Sequence, residues 1–108
     1  MESVYKTLLF YNIVKFVAEY LDNTLIKYES DYKFIAPTIL TDYKTKNLML
    51  FKIQSNHTIE VVHNLTDDVV YIVSNTNSFS LTVFSKDDII KIISPVVTAV
   101  KNWGVNYE

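Results

Sequence analysis

Four short apolar runs follow one another at residues 48–54, 58–64, 69–74 and 79–84, and they set the tightest limit on the fold. Each reads as a β-strand. The links between them, 55–57, 65–68 and 75–78, hold three or four residues. A parallel crossover needs a dozen residues or more, so links this short admit only antiparallel hairpins. Ile59, Val61, His63 and Leu65 share one strand face, and Phe79, Leu81 and Val83 oppose Ser78, Ser80 and Thr82 in a half-buried alternation. Residues 69–73 and 48–51 are apolar on both faces, which leaves two arrangements open. Either helices flank both sides of the sheet, or one apolar side meets a partner.

Helical patterning brackets these strands. Val4, Leu8, Leu9, Ile13, Phe16, Val17, Tyr20, Leu21 and Leu25 recur at spacings of three and four, which predicts a helix over 4–26 with Ser3 as its N-cap. Residues 32–35 read as extended, Pro37 biases Ala36 away from helix, and the polar segment 42–47 reads as a connection. Ser85-Lys86-Asp87-Asp88 opens a second helix, with a capping serine and two carboxylates at the positive end. It continues through Ile89, Ile90, Ile92, Ile93, Val96, Val97, Val100 and Trp103. Pro95 either kinks that helix near Lys91 or opens a short second helix capped by Ser94, and Gly104 is expected to end it in a left-handed conformation. The expected fold is a single α+β domain over residues 1–108. Its antiparallel, meander-like sheet of four or five strands is flanked by an N-terminal and a C-terminal helix.

Composition removes many activities. All ten basic residues are lysine, cysteine is absent, and the one glycine is Gly104. A chain without thiols has no disulfide framework, zinc knuckle or cysteine nucleophile. One glycine cannot build a Walker A loop or a dinucleotide fingerprint. The lack of arginine and the wealth of lysine, asparagine, isoleucine and tyrosine match an AT-rich gene, as in a phage or mobile element. An acid at position 2 and charges at Lys15 and Glu19 interrupt any leader or spanning segment, so a cytoplasmic protein off the membrane is expected. The sequons at Asn56 and Asn64 then carry no glycan.

Few residues offer chemistry. His57 is expected in a hairpin loop and His63 on an apolar strand face, about 20 Å apart along an extended chain, too far to share a metal. Asp67 and Asp68 fit a hairpin turn, and Asp87 and Asp88 fit a helix start, so each acid pair has a structural use. No metal, no cofactor and no enzymatic activity are expected. Single-stranded nucleic acid is the alternative partner: Lys33, Tyr43, Lys44, Lys46 and Lys52 lie in a segment, 27–52, with five lysines against three acids. Tyr28, Tyr32, Phe34, Tyr43 and Phe51 would stack bases there. A pI of about 5.6 argues against it.

The leading expectation is a binding protein that blocks another protein, as toxin-neutralising immunity proteins or phage and viral inhibitors of host factors do. Asp67, Asp68, Asp87 and Asp88 would face a basic toxin or host enzyme, and Tyr71 would join the apolar centre of the contact. A homodimer or a self-associating structural or viral subunit is the remaining reading.

Overall fold

The computed structural model describes residues 4–25, 34–42, 46–53, 57–75 and 77–107, and side chains at 4–24, 46–53, 57–75 and 77–99. Its elements are α1 (Val4–Leu25), β1 (Phe34–Asp42), β2 (Lys46–Ile53), β3 (His57–Asn64), β4 (Val69–Ser74), β5 (Asn77–Leu81) and α2 (Lys86–Tyr107). The five strands lie in the order β1-β2-β3-β4-β5, and every neighbouring pair is antiparallel. The α+β meander between two helices is therefore as the hairpin-length links imply. Among the described residues, no helix is long and apolar enough to cross a membrane.

Strand alternation decides which side holds the core. Met49, Phe51 and Ile53 of β2, Ile59 and Val61 of β3, and Val70 and Ile72 of β4 share one sheet face. They form a single buried cluster with Leu9, Phe10, Ile13, Val17 and Leu21 of α1 and with Ile89, Ile93, Val96 and Val97 of α2. Both helices thus cover the same face. Leu48, Val62 and Tyr71, paired in a row across β2, β3 and β4, stand on the other face.

Several boundaries differ from the sequence reading, each for a physical reason. β1 runs on through Pro37 to Asp42 and β2 begins at Lys46, so both strands extend into the segment expected as a connection. Proline is tolerated because β1 is an edge strand, and the register shifts between Ile35 and Thr38. β5 starts at Asn77, where the hairpin closes against Ser74, and stops at Leu81. Thr82, Val83 and Phe84 instead leave the sheet, and the Phe84 ring packs edge-on against Phe16 of α1 at 6.1 Å. The expected alternation fails accordingly: of β5 only Leu81 is buried. His57 begins β3, paired with Ile53, and is not in a loop.

The capping serine behaves as expected. Asp88 N–H donates to Ser85 Oγ at 3.3 Å, and Ile89 N–H donates to Ser85 C=O at 3.0 Å. From there α2 is one helix, neither split at Pro95 nor ended at Gly104. Pro95 has no N–H for the carbonyl of Lys91, and the Ser94 hydroxyl donates to that oxygen at 3.5 Å. No glycine has positive φ, because glycine permits a left-handed cap without imposing one. The proposed Ser3 cap lies outside the described residues.

Candidate functional site

The β3–β4 turn joins sheet and helix. Asn64 Oδ1 accepts the N–H groups of Thr66 (2.9 Å) and Asp67 (3.1 Å), which closes the turn. Asp68 then adopts φ 54°, a left-handed conformation that aspartate tolerates better than most residues. Its carboxylate oxygen Oδ1 accepts a 2.9 Å hydrogen bond from His63 Nε2, and its carbonyl accepts one from Lys6 Nζ at 3.1 Å. His63 is fully buried beside the Phe10 ring, 6.2 Å away, and its Nδ1 has no hydrogen-bond partner among the described residues. A ring with no accessible surface offers a substrate no place to sit. The pair works as a tie between β3, the turn and the first turns of α1.

The predicted site residues do not gather in one place. Asp67 is exposed at the turn, whereas Asp68 is about a third exposed and bonded to His63. Asp87 and Asp88 are exposed in the first turn of α2. Tyr71 stands on the sheet face opposite both helices, so it cannot share a flat contact with the α2 acids. Of the nucleic-acid candidates, Lys46 and Lys52 are exposed on β2, while Lys33, Tyr43 and Lys44 lie outside the described residues, as do Tyr28 and Tyr32. Phe51 is fully buried in the core and cannot stack a base. Its alternation with Lys52 puts the ring and the ammonium on opposite faces. His57 and His63 stand at the two ends of β3. Among the described residues, no three His, Asp or Glu side chains cluster as metal ligands would.

Two surfaces were not legible in the sequence. The first is the outer side of the N-terminal half of α1. The spacing assigned Val4 and Leu8 to the buried stripe, yet they are 74% and 56% exposed, and Phe10 takes the core position instead. At 100° per residue, Val4, Leu8 and Tyr11 project away from the line of Leu9, Ile13, Val17 and Leu21. Tyr5 and Tyr11 are each more than half exposed, and Val83 is exposed in the link beyond β5. Neighbours hold both rings: the Tyr5 hydroxyl donates to Thr82 C=O at 2.8 Å, and Phe10 meets Tyr11 edge-on at 5.1 Å. Further along the same side the helix turns polar at Asn12, Lys15 and Glu19.

The second surface is a groove of about 560 Å³ between β5 and α2. Phe79, Leu81, Ile92, Pro95 and Val96 supply its apolar lining, and Asp88 and Lys91 also border it. Set against known proteins, the chain matches no protein family model, no curated protein and no solved structure.

Proposed function

We propose that this chain is a non-enzymatic binding protein that covers a surface of another protein through the outer side of α1. The observation that carries the reading is the run of Val4, Tyr5, Leu8 and Tyr11, each more than half exposed on a helix whose other side already fills the core. Soluble monomers rarely present contiguous apolar patches beyond a few hundred Å², and larger ones mark contact sites. Tyrosines held in place by neighbours contribute contact area at little entropic cost, which suits the centre of an interface. Lys6 binds the backbone of Asp68, so the β3–β4 turn abuts the first turn of α1 and brings exposed Asp67 to that end of the helix. An apolar centre, with an acid at the same end of the helix on its sheet side, fits a partner whose pocket is flanked by lysine or arginine, such as a nuclease toxin or a host enzyme. Occupying that pocket inhibits without chemistry.

The test is capture from lysate of the source cell with the wild-type chain and with Leu8→Glu, followed by binding kinetics on whatever the wild type alone retains. Leu8→Ala with Tyr11→Ala should speed dissociation at least about tenfold, the scale of central contact residues. Asp67→Asn should instead slow association about two- to threefold at low salt, and the difference should vanish at high salt. Identical capture by wild type and Leu8→Glu sinks the reading, as does capture of no protein.

A further inference from the structure

The two edges of the sheet are built differently. β1 carries Pro37 and a register shift between Ile35 and Thr38, devices that stop another strand from adding there. β5, Asn77–Leu81, carries neither: its register with β4 is regular throughout, and its sequence holds no lysine or proline. We propose that β5 pairs with β5 of a second copy, antiparallel about a two-fold axis at Phe79, giving a continuous ten-stranded sheet with the β5–α2 grooves filled across the axis.

Hydrogen-bond geometry supports it. The β4–β5 hairpin closes on Ser74 and Asn77 with two residues between them in sequence, and Asn75 has a positive φ of 57°, as both common two-residue hairpin turns require at their first central position. The closing pair of such a hairpin exchanges both bonds, so alternation along the ladder makes Phe79–Ile72 and Leu81–Val70 bonded pairs as well. The N–H and C=O groups of Ser78 and Ser80 therefore face away from β4. In an antiparallel copy centred on Phe79, Ser78 of one chain meets Ser80 of the other, and all four outward groups on each strand find partners. The two Phe79 residues then form a close, non-bonded pair.

The side chains agree with that placement. Register with Ile72 puts Phe79 on the helix side of the sheet, yet it is 39% exposed at the mouth of the groove. A second Phe79 beside it would enter apolar space bounded by Ile92, Pro95 and Val96. Asp88 and Lys91 give each groove one acid and one base, both exposed. Two copies related by a two-fold axis thus meet with balanced charge and no excess of either sign.

The experiment is sedimentation of the full chain over a range of concentrations, with Ser80→Pro as the variant. Ser80→Pro removes an outward donor and no β4 bond, so it should raise the dimer Kd at least tenfold while leaving the circular dichroism spectrum unchanged. Lys91→Glu should also weaken the dimer, and Asp88→Lys with Lys91→Glu should restore it. Should Ser80→Pro misfold, the wild type answers alone. A mixed-isotope sample should show a nuclear Overhauser contact between Hα of Phe79 in the two chains, and the Ser78 and Ser80 amides should gain exchange protection as concentration rises. A chain that stays monomeric to its solubility limit overturns the proposal, as does a dimer that Leu8→Glu dissociates and Ser80→Pro does not. Protection of Ser78 and Ser80 that appears only when a different protein is added also overturns it, because another strand then occupies the edge.

Discussion

The two helices have the same length, 22 residues, and pack on the same sheet face, yet they treat solvent differently. α2 divides cleanly. Ile89, Ile93, Val96 and Val97 are buried, while Asp87, Asp88, Lys91, Pro95 and Thr98 are exposed, and its start is capped by Ser85 with two acids in the first turn. α1 has no acid in its first turn, and its N-terminal half is apolar on both its inner and outer sides. A helix that only roofs a sheet needs the α2 pattern. The outer residues of α1 exceed that need, which is why the functional reading rests on them and not on the acids of α2.

Core truncation should treat the helices alike. Ile13→Ala and Ile89→Ala each remove a fully buried side chain, and each should cost about 2–5 kcal/mol in urea denaturation. A cost below about 1 kcal/mol at Ile13 alone would mean that α1 is a loosely attached arm, and the comparison would break. A smaller difference should appear at the turn that α1 grips. Asp68→Ala leaves buried His63 Nε2 without its acceptor and should cost about 1–3 kcal/mol, whereas Asp67→Ala should stay within about 0.5 kcal/mol. Equal costs at the two positions would show that the His63 tie carries no weight. The smallest effect belongs to α2: Ser85→Ala should cost about 1 kcal/mol by removing the N-cap. Thermal melts of the same variant should show no change if the helix start is held by packing alone.

Legibility followed how local the cause of each feature was. β4 appears at the bounds its sequence implies, Val69–Ser74, because turn residues flank an unbroken apolar run. Ser85 was readable as a cap for the same reason, since the bonds lie within four residues. β5 was placed too late because Phe79, Leu81 and Val83 alternate as a strand should, while the pull of Phe84 toward Phe16 comes from a helix distant in sequence. Asp68 looked like half of a solvent-facing pair, because its bond to His63 depends on a left-handed backbone that residue type permits but does not announce. Val4 and Leu8 fit the three-and-four spacing, and only the position of the sheet reveals that they point outward. Tertiary contacts settle such cases, and a single sequence carries them weakly.

Strand order bears on the kinetics of assembly. Each strand pairs only with its immediate neighbours along the chain, so every pairing in the sheet is local in sequence and closes a short loop. α1 is synthesised before any of these strands, yet its buried side rests on β3, β4 and α2, which follow it along the chain. The core-facing side of α1 therefore stays in water until those later elements have emerged. That interval is when this chain is most exposed to chaperones and to aggregation.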